Sequence, residues 1–193
     1  PAAAGLWVTA DIATETGVNA VVEAVGDAVL DALLFTGGTW EAGAFTGGYR
    51  FADSPVAETR QVIGVNLIAP ILLAQALAPA LARSANPRIL LIGSLSGRDG
   101  GATVEVANTA SKFGLRGAAQ ALEIALREQS VAVTVLNPGN LATDEVIDDI
   151  AEGRFEDQVP IPLRDLLACI DLVLALSPDA TLREIDLAQK HPG

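Results

Sequence analysis

RILLIGS, residues 88–94, is the stretch on which the fold turns. Ile89 to Ile92 are apolar without a break, and they lack the every-second-residue alternation of a strand with one wet face. A short unalternating run that stops at a glycine reads as a strand buried on both faces, the mark of a parallel sheet covered by helices. Other strand candidates flank it: GLWVTA (5–10), LDALLFTGG (30–38) and VAVTVLNPG (131–139), with the more polar TLREIDL (181–187) last. Helical segments lie between them. TETGVNAVVEAVGDAV (14–29) has Thr14 as its N-cap, and VAETRQVIGVN (56–66) follows Ser54-Pro55, read as cap and first helical position. APILLAQALAPALARS (69–84) is apolar nearly all round, VEVANTASKFGLRGAAQALEIALREQ (104–129) is rich in Ala and Gly, and PLRDLLACIDLVLAL (162–176) closes the series.

Strand and helix alternate throughout, which predicts an α/β chain with a doubly wound parallel sheet, one domain over 1–193. Every crossover is expected to be right-handed. Ligands of such sheets bind beyond the carboxyl ends of the strands. Asp11, Thr36 to Gly38, Ser94, and Pro138 with Gly139 follow four different strands, so the pattern predicts one crevice lined by all four.

Composition narrows the function. The chain has 193 residues, 50% hydrophobic and 19% charged, enough for a real core. A net charge of −12 argues against nucleic acid and anionic membranes as partners, since both select Lys/Arg-rich surfaces. Cys169 stands alone in an apolar helical stretch and reads as a small packed residue. One histidine, His191, read as a solvated tail residue, makes a zinc site or a Ser-His-Asp triad improbable. No apolar run is read as reaching membrane-spanning length and no signal peptide is visible, so the expected compartment is the cytoplasm.

The order of several short motifs resembles the short-chain dehydrogenase/reductase family over nearly the whole chain. VTADIA (8–13) is similar to the strand end whose acidic residue meets adenine, which implies adenine contacts for Asp11 and the Ile12 backbone. LLFTGG (33–38) stands where the family has Asn-Asn-Ala-Gly, with Gly38 matching, Gly37 nearly so, and Phe35 and Thr36 replacing the asparagines. VNLIAP (65–70) supplies Asn66 for the family's asparagine, LIGSLSG (91–97) supplies Ser94 for its serine, and ANTASK (107–112) supplies Lys112 of its Tyr-x-x-x-Lys segment. LNPGNLATD (136–144) resembles the turn that faces nicotinamide and phosphates, which implies Pro138, Gly139 and Thr143. The resemblance implies a Rossmann-like fold, NAD or NADP as cofactor, hydride transfer to or from a carbonyl or alcohol of a small-molecule substrate, and a homodimer or homotetramer built on the two small-residue helices. Ser94 would polarise the substrate oxygen, Lys112 would hold the nicotinamide ribose, and Asn66 would position the lysine through a water.

Two departures stand out. Asn108 occupies the tyrosine position. Residues 108 and 112 share a helix face, and a nearby ammonium favours a phenolate, but an amide has no proton to yield near neutrality. General acid–base catalysis is worth roughly 10²–10⁴-fold, so activity is expected to be impaired. Lys112, if desolvated, or the single tyrosine, Tyr49, are the conceivable substitutes. The alternative is a non-catalytic nucleotide sensor or scaffold on the same fold. Secondly, no Gly-x-x-x-Gly-x-Gly turn precedes GLWVTADIA, and such a turn cradles a pyrophosphate. Because the family sheet runs 3-2-1-4-5-6-7, the fold would be truncated at its N-terminus. GLWVTA could slide beside ALLF, a partner chain could complete the sheet, or a segment could precede Pro1, which is the leading expectation.

Overall fold

The computed structural model describes residues 5–155 and 158–190, so His191 lies outside the described residues. Four strands form one wholly parallel sheet in sequence order: β1 (Ala32–Phe35), β2 (Arg88–Ile92), β3 (Ala132–Pro138) and β4 (Glu184–Leu187). The helices are α1 (Glu15–Val25), α2 (Val56–Ile63), α3 (Ala69–Leu81), α4 (Val106–Ala125), α5 (Asp144–Ala151) and α6 (Leu163–Ala175).

The side chains of β2 explain the layering. Ile89 and Leu91 point into one core with Val133 and Val135 of β3, packed by Leu73 and Leu77 of α3 and Leu115 and Ala119 of α4. Leu90 points the other way, with Leu136, against Ile170 and Val173 of α6. Both faces of β2 are dry, which is why its sequence does not alternate.

α3 and α4 therefore lie on one face and α6 on the other, while the strand order advances in one direction throughout. The β3–α6–β4 crossover must have the hand opposite to the two before it. With the first two right-handed, as roughly 98% of such units are, the third is left-handed, and the expectation of uniform right-handedness fails. The reversal brings α6 across a sheet face that α3 and α4 leave bare.

Residues 5–10 are not a strand. A strand needs a hydrogen-bonding neighbour; GLWVTA makes no ladder with β1, and Trp7 is 94% exposed. Thr14 does cap α1, accepting from Gly17 N at 3.1 Å. Ser54-Pro55 sits one step further out than read, with Pro55 at the cap of α2.

α2 and α3 are one helix from Val56 to Leu81, joined through a π turn at Gly64–Ile68. Over 26 residues it is long and apolar enough to cross a membrane, contrary to the expectation that no run reaches that length. Its apolar side is spent on the core: Ala69, Leu73, Ala74, Leu77 and Leu81 pack with the sheet and with α1 and α4. Between β3 and α6 the chain also forms α5, an element that the sequence analysis does not name.

Candidate functional site

The site is built around the first turn of α4, which two buried carboxylates tie to the loop after β1. Glu41, 1% exposed, reaches from that loop, and its Oε1 accepts from Ala107 N at 2.7 Å and Asn108 N at 3.2 Å. These are amides a helix leaves unpaired at its start, and a negative charge there is favoured by the helix dipole. Glu105, at the N-cap of α4, reciprocates by accepting from Phe45 N at 2.7 Å.

The π turn delivers a third tie. An extra residue in the helical turn is a frequent device at functional sites, and here it carries Asn66, 1% exposed. Asn66 Oδ1 accepts from Thr39 N and its Nδ2 donates to Thr39 O, each at 2.8 Å. The same Nδ2 donates to Ser111 Oγ at 3.1 Å, and Ser111 Oγ donates to Asn108 O at 2.7 Å. A continuous polar chain thus links the loop after β1, the π turn and α4.

Above this frame lies a cavity of about 400 Å³, within the usual range of ligand pockets, roughly 300–1,000 Å³. Gly38, Ser94, Asn108, Lys112, Pro138 and Gly139 line it, all from the carboxyl ends of β1, β2 and β3 or from α4. Thr143 joins them while also capping α5, accepting from Val146 N at 3.4 Å. Asn66 stands behind the wall: a Cβ placed on Gly38 would lie 3.8 Å from Lys112 Nζ and 3.9 Å from Asn66 Oδ1. Gly38 therefore leaves open the space that a side chain would fill.

Ser94 Oγ accepts from Ser96 N at 3.1 Å and Ser96 Oγ at 2.9 Å, which leaves its own hydrogen free. Lys112 Nζ donates to Ile92 O at 3.3 Å, and burial pushes its ammonium down to about 8. Gly97 sets the height of this helix, since a Cβ there would come within 2.7–2.9 Å of Lys112 C, O and Cβ.

Besides Asn66, two expected residues do not line the cavity. Asp11 is at the entrance to α1, where its Oδ1 accepts from Ala13 N at 3.1 Å and its carbonyl oxygen takes Thr14 Oγ1 at 2.8 Å. Ile12 packs its side chain near Gly37, on the core side of the loop. Tyr49 is buried and absent from the lining, so the structure does not bring it to Ser94. Cys169 packs against the α6 core, as read.

Part of the cavity wall carries no motif in the sequence. Trp40, Phe45 and Phe155 line it, with ring centroids 5.9 Å apart for Trp40–Phe45 and 6.4 Å for Phe45–Phe155. Glu145, Val146 and Asp149 of α5 complete that side. A signal existed in TDEVIDDIAEG: a Thr cap, acids in the first turn, apolar residues at 146, 147 and 150, and Gly153 at φ +71°. Glu41 carried no such signal, because its partners are about 66 residues away.

Comparison with known proteins agrees with the geometry. A family model described as short chain dehydrogenase matches residues 3–152. "Oxidoreductase asL5" of Sarocladium schorii is 31% identical over 103 residues, a match spanning 52% of this chain and 41% of that protein. A metagenomic short-chain oxidoreductase solved in complex with NADP superposes with a TM-score of 0.73 at 25% identity, covering 94% of this chain and 72% of that one. A 4-hydroxyisoleucine dehydrogenase solved with NADH gives 0.76 at 22% identity, covering 94% and 78%. With a family match over most of its length and this sheet, this helix and this strand-end cavity, the chain belongs to the short-chain dehydrogenase family.

Proposed function

We propose that this chain is an NAD(P)-dependent oxidoreductase that moves hydride to or from a carbonyl or alcohol, at a rate held down by Asn108. The observation that carries the proposal is the convergence of Ser94, Asn108 and Lys112 on one cavity with three strand ends. The donor set fits a nicotinamide ribose: Gly38 keeps a cradle clear, and Lys112 is a cation without a carboxylate partner among the described residues. When bound, the nicotinamide supplies or accepts the hydride.

The chain's own residues do the rest. Ser94, with its hydrogen free, donates to the substrate oxygen and polarises the carbonyl. Lys112 holds the ribose hydroxyls, and Asn66 fixes the loop that carries Gly38. Pro138, Gly139 and Thr143, which line the same cavity, would close the nicotinamide side, while Asp11 and Ile12 would contact adenine only outside this cavity. Asn108 donates a hydrogen bond but no proton, so proton transfer falls to solvent or to Lys112.

A homodimer or homotetramer belongs to the same proposal, supported by apolar Ile71 on α3 and Phe113 and Ile124 on α4 facing outward. A cytoplasmic location goes with a single cysteine that forms no disulfide.

The test is a titration with NADH and NADPH followed by cofactor fluorescence, alongside Asn108→Tyr. Micromolar binding, with carbonyl reduction raised about 10²–10⁴-fold by the restored tyrosine, is expected. No binding at millimolar cofactor would leave a scaffold as the function.

A further inference from the structure

We propose that Lys112 is also a carbonyl-capturing amine: lining the cavity with Ser94 and Asn108, it forms an imine with an aromatic aldehyde or ketone. The inference rests on the cavity alone and does not depend on a nicotinamide.

Three features support it. Lys112 enters no ion pair among the described residues, and its one hydrogen bond is a 3.3 Å contact to Ile92 O. A structural lysine of similar burial is usually neutralised by a carboxylate, whereas here Glu41 and Glu105 are spent on backbone amides. Ser94 and Asn108 place a hydroxyl and an amide on the same cavity, where they can donate to a carbonyl oxygen. Trp40, Phe45 and Phe155 line the same cavity as a run of neighbouring rings suited to a flat apolar group. Burial also lowers the Lys112 ammonium to about 8, and a desolvated amine is the usual form of a Schiff-base lysine.

The step balances without an oxidant or reductant. The lone pair of the neutral amine forms the N–C bond as the carbonyl π pair moves to oxygen. One proton passes from nitrogen to that oxygen to give a carbinolamine. A second proton, from solvent, releases the oxygen as water and leaves a protonated imine.

The chain has two lysines, Lys112 and Lys190, so labelling is easy to assign. The whole protein is incubated with benzaldehyde and sodium cyanoborohydride at pH 7.5 without nucleotide, and the adduct is located by peptide mass spectrometry. A group titrating near 8 is neutral on the order of a hundredfold more often near neutrality than an ordinary lysine, so Lys112 is expected to be labelled at least tenfold faster than exposed Lys190. Lys112→Arg is expected to abolish the cavity adduct and Lys190→Arg to leave it. Equal or faster labelling of Lys190, or an unmodified Lys112, overturns the proposal. The mapping is done on the natural chain, so its outcome decides the matter whether or not Lys112→Arg folds.

Discussion

Replacing Glu41 with alanine gives a large effect that can be worked out from the structure. Glu41 is 1% exposed, and its Oε1 takes two N–H donors from the first turn of α4. Each buried donor left unpaired costs about 1–3 kcal/mol, and losing a charge at a helix N-terminus adds up to about 2 kcal/mol. Against this, the natural side chain carries a cost of its own, since Oε2 is buried without a partner. The net loss is about 2–4 kcal/mol, which lowers the melting temperature by roughly 5–15 °C in a chain of this size. Glu41→Gln keeps an acceptor for both amides and is expected to lose about 1 kcal/mol. Urea unfolding followed by tryptophan fluorescence measures both, read as midpoint shifts at constant slope. An alanine variant within about 0.5 kcal/mol of the natural chain, or a glutamine variant as damaged as alanine, would refute the claim that this carboxylate holds the start of α4.

Two further outcomes follow from other parts of the structure. The Arg116 hydrogen bond to Glu184, at 2.5 Å, outweighs desolvation and, with help from Asn137 and Arg98, holds the carboxyl down at about 2. Its folded pKa lies below its unfolded one, so its stabilisation is complete above about pH 5 and is lost as pH falls toward 2; after discounting for its partial exposure this is on the order of 2 kcal/mol, and Glu184→Gln should flatten the acid limb of a stability-versus-pH curve. Gly97→Ala forces a methyl to within 2.7–2.9 Å of Lys112 C, O and Cβ, so it should cost about 1–3 kcal/mol and weaken NADPH binding; an unchanged midpoint and affinity would show that α4 does not rest on this glycine.

The strands most easily read were those dry on both faces. β2 and β3 are buried almost end to end, so burial wrote mostly apolar, unalternating runs into the sequence, broken in β3 by the buried Thr134 and Asn137. GLWVTA carries the same kind of run and forms no strand, because a ladder depends on a neighbour that composition cannot reveal. The hand of the last crossover was hidden for a related reason: α6 has apolar residues at helical spacing whichever face of the sheet it covers. At the site, Ser94, Asn108 and Lys112 were legible because strand ends and i, i+4 spacing are local properties. Glu41 and the aromatic wall were not, since the loop from Thr39 to Ser54 has no periodicity and the contacts that matter there are long-range.

The backbone of residue 108 is fixed by groups that do not involve its side chain. Its N–H is held by Glu41 and its carbonyl by Ser111, which Asn66 ties in turn to Thr39. Asn108 is itself nearly fully buried, yet its side chain enters no hydrogen bond among the described residues and lines the cavity instead. A catalytic group is precise when its support is rigid and independent of it. Position 108 meets that condition with an amide in place. Exchange of this one side chain therefore changes the chemistry offered to the cavity far more than the frame that presents it, and so the rate gained by Asn108→Tyr measures proton transfer and not repair of the fold.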